Sequence, residues 1–417
     1  MFRPVRVYIS ELGAIRDTEI ELKPFMIYTG DSGLGKSYTS FLVYYFQKSL
    51  SSHGRLASFI ENRMNNVNND RNASLSFMMK DFRQWLNEGA SRYLGFLLGY
   101  DAFKCKVTFI FDIDDNENIN IEYLEEEKEN LRHIILNGED YYFPKTYGNI
   151  RYNVTDAFSQ YLCKYFYGQE SKMPLLFPPA RAAFASSAIG DTSSVGMYSE
   201  FISCNNILNL LSSNGSSDDQ LLNNSLKNLI GGEIVRQEGK VYLKIEGIET
   251  LIPVSAAASS VKELLPMFFL MKNRQLHSIF QVLFEEPEAH VHPSKQYVVA
   301  DMIARCFNNG TMFQITTHSD YLLSRINQLI RLGNLKHKDE DMFNLFCSEQ
   351  QHNKNLYLNA EDIGAYYFRR AEGGRVEVVS LDTSDGIDFR SFEEIVNRQL
   401  HIDTLIEEFE NRIHTTE

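Results

Sequence analysis

The stretch Gly30-Asp31-Ser32-Gly33-Leu34-Gly35-Lys36-Ser37 constrains this chain more than any other, because it fits G-x-x-x-x-G-K-[ST] without exception. The apolar run Phe25-Met26-Ile27-Tyr28 before it predicts a short buried strand. After it, 38–50 predicts a helix with Phe41, Leu42, Tyr45 and Phe46 inward. Strand, loop and helix in that order make a cradle for a triphosphate. The glycines let the backbone turn tightly, and its N–H groups point at phosphate oxygens from the positive end of a helix. Gly30, Ser32, Gly33 and Gly35 are therefore expected to wrap the phosphates. Lys36 adds charge against the β- and γ-phosphates, and the Ser37 hydroxyl suits Mg²⁺.

A chain of 417 residues with 43% hydrophobic content can bury a large core and is expected to hold more than one lobe. Cys105, Cys163, Cys204, Cys306 and Cys347 are scattered, form no C-x-x-C pair and point to a reduced, cytoplasmic compartment. The N-terminal residues run straight into a strand, and no apolar span is long enough for a bilayer, so no membrane role is expected of the chain itself. A formal net charge of −14 opposes wholesale binding to a phosphate backbone, so DNA is possible in a local groove but not favoured.

Val5-Arg6-Val7-Tyr8-Ile9 and Thr18-Glu19-Ile20-Glu21-Leu22 alternate inward and outward residues around Gly13, which predicts an antiparallel pair leading into the phosphate loop. A polar loop follows at 65–70, then a helix over 77–100, then two strands at 106–112 and 119–123 around an Asp/Asn turn. The charge run 125–129 reads as a solvated face. A helix with an aromatic stripe is expected over 153–167, and a buried strand at Leu175-Leu176-Phe177 ends in Pro178-Pro179. Arg181, just past that strand, is suited either to a phosphate or to the surface. Ser/Gly/Asn-rich loops are expected at 186–194 and 212–219, and a hairpin over 235–245 turns at Glu238-Gly239.

A second constellation lies far downstream. Gln281-Val282-Leu283-Phe284-Glu285-Glu286-Pro287 is an apolar strand ending in two carboxylates. Beside the phosphate-loop strand in a parallel sheet, it would deliver both acids at the C-terminal edge, where open α/β sheets bind ligands. Glu285 could then hold Mg²⁺, and Glu286 could polarise an attacking water. One strand further, Met312-Phe313-Gln314-Ile315-Thr316 leads to Thr317-His318-Ser319, placing His318 where it could reach the γ-phosphate or the water. The pair His290 and His292 sits in a Pro-flanked turn without a carboxylate cluster, which makes a weak zinc case.

Taken together, GDSGLGKS, VLFEEPEAHVHP and ITTHSD resemble the Walker A, Walker B with D-loop, and switch-histidine motifs of ABC-type ATPases of the SMC, RecF and OLD-like group. The opening VRVYISELGAIRDTEIELKP resembles that group's N-terminal hairpin, so the likeness spans most of the chain. The resemblance implies ATP and Mg²⁺ as ligands, with Lys36 and Ser37 on phosphate and Mg²⁺, Glu285 on Mg²⁺, Glu286 on water and His318 on the γ-phosphate. It also implies a signature segment that caps the nucleotide of an opposite subunit. Ala258-Ser259-Ser260-Val261-Lys262-Glu263 is the candidate, with Ser260 and Glu263 spaced as a capping box. Val261 stands where the family usually has glycine, which implies slow turnover. No counterpart of the Q-loop glutamine is evident.

The fold expected is α/β, a P-loop NTPase of ABC-ATPase type whose mixed sheet carries an N-terminal antiparallel hairpin and an inserted helical lobe. Its parts are expected at 1–60 (Walker A), 61–270 (insertion, helical and signature lobe with edge strands), 271–357 (Walker B, D-loop and switch histidine) and 358–417 (hairpin and helix). The separation of Lys36 from Glu285 is too long for a compact transporter ATPase and lacks heptads for a long SMC arm. The tail resembles the closing segment of OLD-like ATPases and is too short for their nuclease domain. The resemblance implies a homo-oligomer built on ATP-sandwich dimers, and the short tail implies that it controls a separate effector, a nuclease or toxin. Such chains are similar to the stand-alone ATPase subunits of anti-phage systems of the PARIS and Septu type. The rival readings are a RecF- or SMC-like ATPase of DNA repair and maintenance, and a nucleotide-gated scaffold with little hydrolysis.

Overall fold

Alternation decides the first two strands. Val5, Val7, Ile9 and Leu12 all point inward along β1 (Val5–Leu12), and a register shift between Ile9 and Glu11 turns Leu12 back to the buried face. β2 (Ile15–Leu22) pairs antiparallel with β1 through Val7↔Ile20, turning at Gly13, whose φ of 59° suits glycine. This computed structural model describes residues 3–51, 55–64, 72–125, 130–168, 173–183, 196–212, 224, 227–237, 240–272, 279–388 and 390–414. The polar loop at 65–70, the charge run 126–129, the loops at 186–194 and 213–219 and the turn Glu238-Gly239 lie outside the described residues.

β3 (Phe25–Gly30) is buried on both faces, so it reads as a continuous apolar run rather than an alternation. It feeds α1 (Lys36–Leu50), whose Val43 and Tyr44 are as buried as the expected Phe41, Leu42, Tyr45 and Phe46. Then follow α2 (Leu56–Met64), β4 (Asn72–Met78), α3 (Met79–Leu98), β5 (Cys105–Phe111), β6 (Asn118–Glu125), β7 (Leu131–Leu136), β8 (Glu139–Pro144) and α4 (Ile150–Tyr167). β4, β6, β7 and β8 form an antiparallel sheet of their own, so the insertion is a mixture of strands and helices. β5 and β6 do not pair with each other: β5 joins β1, and β6 lies between β4 and β7.

The remainder comprises β9 (Met173–Phe177), α5 (Met197–Ser212), β10 (Glu233–Gln237), β11 (Lys240–Lys244), β12 (Ile252–Pro253), α6 (Ser259–Lys272), β13 (Ile279–Glu285), α7 (Pro293–Asn308), β14 (Met312–Thr316), α8 (Asp320–Lys338), α9 (Glu340–Glu349), β15 (Ile363–Arg370), β16 (Val376–Leu381) and α10 (Arg390–His414). Among the described residues the main sheet has the order β5-β1-β2-β16-β15-β3-β14-β13-β9. From β15 to β9 the strands run parallel, and the rest are joined to them through β16. β14 therefore stands between the phosphate-loop strand and the acid-bearing strand, which were expected to be neighbours. Successive residues of β3 divide the two cores: Met26 and Tyr28 pack with α1, α3 and α4, while Phe25 and Ile27 pack with α6, α7 and α8. No described helix is long and apolar enough to cross a membrane.

Candidate nucleotide site

Every strand of the parallel block ends at one edge, and the phosphate loop leaves β3 there. Gly30 has a φ of 118°, and a Cβ on it would lie 2.1 Å from the Phe368 carbonyl oxygen of β15. Gly33 and Gly35 also adopt positive φ, and Gly35 caps α1 in the left-handed conformation. Ser32 and Gly33 are exposed, whereas the Lys36 side chain folds back under the loop. Its Nζ donates to the carbonyls of Gly30 (2.9 Å) and Asp31 (2.7 Å). Burial pushes Lys36 down to about 8, against the pull of Glu286, Glu285, Asp31 and Glu288.

Ser37 donates its hydroxyl to Glu285 Oε2 at 2.6 Å, and Ser40, one turn along the same helix face, donates to Oε1 at 2.8 Å. Burial raises the Glu285 carboxyl, and the two hydroxyls oppose that rise. Ser37 and Glu285 thus form a pair of hard oxygen donors. No group of three or more His, Cys, Asp or Glu among the described residues could hold a metal by itself. Such a donor set fits Mg²⁺ brought in with a nucleotide, since Mg²⁺ is commonly held by one or two protein oxygens together with phosphates and water.

Glu286 follows in a left-handed conformation, φ 45°, which costs a non-glycine residue about 1 kcal/mol. Its N–H donates to the Thr316 carbonyl (3.0 Å) and Thr316 Oγ1 (3.2 Å), fixing it to the end of β14. Glu288 completes the link. One of its oxygens accepts from Thr317 Oγ1 (2.8 Å) and from the His318 N–H (2.7 Å), so the histidine turn is clamped to the acidic turn. Burial, then the Lys36 ammonium, lowers His318 from the ordinary imidazole range, against the pull of Glu286 and Asp31.

Arg181 is neither a phosphate ligand nor a surface residue. It is fully buried, with its guanidinium on the carbonyls of Pro178 (3.0 Å), Glu285 (2.9 Å), Glu286 (3.4 Å) and Glu263 (2.8 Å). Its Nε lies 3.3 Å from the Glu263 carboxylate, itself fully buried. The expected capping box is therefore not formed. Ala258 precedes α6, its carbonyl accepting from Val261 and Lys262, and Glu263 turns inward to Arg181 rather than back to Ser260. Ser259 is exposed and Ser260 half-buried in the first turn, where helical N–H groups have no partner within the helix. Neither serine shares a hydrogen bond with the phosphate loop among the described residues. Val261 packs into the core at 3% exposure, so its side chain does not stand between this helix end and an incoming surface. His292 has a structural partner too: its Nδ1 pairs with Ser294 Oγ at 2.7 Å, at the start of α7.

Ser40 and Glu288 escaped the sequence reading. The serine lies three residues beyond Ser37, and the third carboxylate lies two beyond Glu286. Both spacings were visible, but neither belongs to the motif patterns.

A family model described as an AAA ATPase domain matches residues 199–323. That span carries α6, the paired carboxylates and His318, and it leaves the phosphate loop outside. No curated protein matches the chain. Among solved structures, an SMC head bound to the C-winged helix domain of ScpA is 12% identical, covers 91% of this chain and 97% of its own, and has a TM-score of 0.38. The SMC head domain from Thermotoga maritima is 10% identical, covers 91% and 99%, and has a TM-score of 0.34. An SMC head with an extended coiled coil, bound to the C-terminal domain of ScpA and derived from Pyrococcus furiosus, is 13% identical, covers 97% and 100%, and has a TM-score of 0.37. Superpositions this loose transfer no residue roles. Within this chain, the mixed sheet and the gathering of phosphate loop, acids and histidine at one edge give the ABC-type P-loop fold.

Proposed function

We propose that the chain binds and hydrolyses ATP, with two copies enclosing each nucleotide. In this reading the 30–37 loop wraps the phosphates, and Lys36 leaves the Gly30 and Asp31 carbonyls for the β- and γ-oxygens. Ser37 and Glu285 hold Mg²⁺, which when bound spreads the charge of those oxygens. Glu286 orients a water toward the γ-phosphorus and takes its proton as the bridging oxygen leaves with ADP. His318 donates a hydrogen bond to the γ-phosphate, and Ser259 and Ser260 of the second copy close over it.

The observation that carries this reading is the contact of Ser37 with Glu285, two residues 248 apart in sequence, on the same loop end that holds Lys36. ATP would supply contacts across the two copies that ADP cannot, so loss of the γ-phosphate reopens the pair and changes the state of a separate cytoplasmic effector, a nuclease or toxin. The motif resemblance supports a place in anti-phage defence. The test is phosphate release alongside ATP binding. Glu286→Gln is expected to keep ATP affinity within about threefold and to lose turnover by about 10²- to 10⁴-fold. A wild-type protein that binds Mg·ATP yet releases no phosphate would turn the reading into that of a scaffold.

A further inference from the structure

Arg181 is charged, fully buried, and absent from the mechanism above, yet it touches both elements the mechanism needs. It arrives on a strained turn, since Ala180 has a φ of 53°. Across from it lies the equally strained Glu286. The guanidinium fork spans the carbonyls of Glu285 and Glu286, on either side of that strain, while its Nε donates to the Glu263 carbonyl on α6 and lies 3.3 Å from the Glu263 carboxylate. The ring of Phe284 backs the guanidinium, its centroid 4.5 Å from the central carbon. Two non-glycine residues in the left-handed region persist only where their surroundings over-determine them. Here one planar side chain does so from the inside, and a point charge could not bridge four acceptors at once.

We infer that Arg181 is a positioning residue that locks the turn carrying Glu286 to the helix carrying Ser259 and Ser260. This rests on the ATPase reading above. Capture of a second copy's nucleotide by the serine end of α6 then sets the attitude of the acid at this copy's own site, so the two sites of a pair fire together. Glu263 is the counter-charge that keeps the guanidinium in place.

The test separates this role from a merely structural ion pair. Arg181→Met leaves the Glu263 carboxylate alone in the core and should lower Tm. Arg181→Met with Glu263→Met replaces the pair by apolar volume and should recover most of that loss, as exchange of buried pairs for hydrophobic residues commonly does. If the inference holds, the double variant regains Tm and binds ATP within about threefold of wild type, while kcat stays down by about 10²-fold. Arg181→Lys keeps the charge without the fork and should lower kcat with little change in KM, which keeps the test open if the methionine variants fold poorly. A double variant that recovers Tm and wild-type kcat together overturns the inference and leaves the ATPase reading standing. A wild type without turnover overturns both.

Discussion

At the scale of single residues, the site is a set of charges held in readiness by burial. Lys36 sits at about 8 because it is taken out of water, not because a cation opposes it. A triphosphate favours its ammonium form, so binding should draw a proton from solvent once the pH passes about 8, and almost none near pH 6.5. Calorimetry in buffers of differing ionisation enthalpy measures that count, and zero uptake at about pH 8.5 would contradict the placement of Lys36 on the phosphates. The meeting of Ser37 with Glu285 was legible, because G-x-x-x-x-G-K-[ST] and an apolar strand ending in two acids each specify where a side chain emerges. Arg181 was not legible. Its neighbours Pro178, Pro179 and Ala180 indicate a strand end, but only the approach of α6 and β13 determines that the guanidinium is sealed in. Glu263 misled for a related reason: its spacing from Ser260 suits a cap, and a buried cation outweighs one N–H bond.

Among the elements, the local signals were strong and the pairings were not. Gly13 and the alternation on either side made the β1–β2 hairpin readable, and unbroken apolar runs marked β3, β13 and β14. Sequence distance then failed as a guide to neighbours. β5 and β6 are separated by a short Asp/Asn turn yet enter different sheets, because the apolar faces of β5 complete β1 and those of β6 complete β4 and β7. Strand β4, with its serines and asparagine, lacks the apolar run that would announce it. The β15–β16 hairpin was legible as a hairpin, but its seat in the middle of the main sheet was not. Tyr366 reveals why that seat holds. Its hydroxyl accepts from the Glu21 N–H (2.9 Å) and donates to the Glu21 carbonyl (3.0 Å), satisfying the stretch of β2 that β16 does not reach. Tyr366→Phe should therefore cost about 1–3 kcal/mol of stability, read from urea unfolding as a lower midpoint at unchanged m. A variant as stable as wild type would mean that water serves Glu21 equally well.

For the molecule as a whole, one long sheet carries two cores among the described residues, and the phosphate loop, the acids and His318 meet at one end of its parallel strands. Glu286→Gln, by trapping ATP, should shift the protein toward a dimer in light scattering with Mg·ATP and not with Mg·ADP; a mass independent of nucleotide would argue against the enclosed pair. The net charge of −14 makes a phosphate-backbone partner the weaker alternative, and any DNA binding should vanish steeply with salt. Everything rests on Lys36 and its loop being the phosphate cradle. The most direct measurement is a titration of a fluorescent ATP analogue into wild type and Lys36→Ala in the presence of Mg²⁺. Loss of a charge-assisted contact with the phosphates should weaken binding by about 10- to 100-fold. Equal affinity in the two proteins would contradict the account.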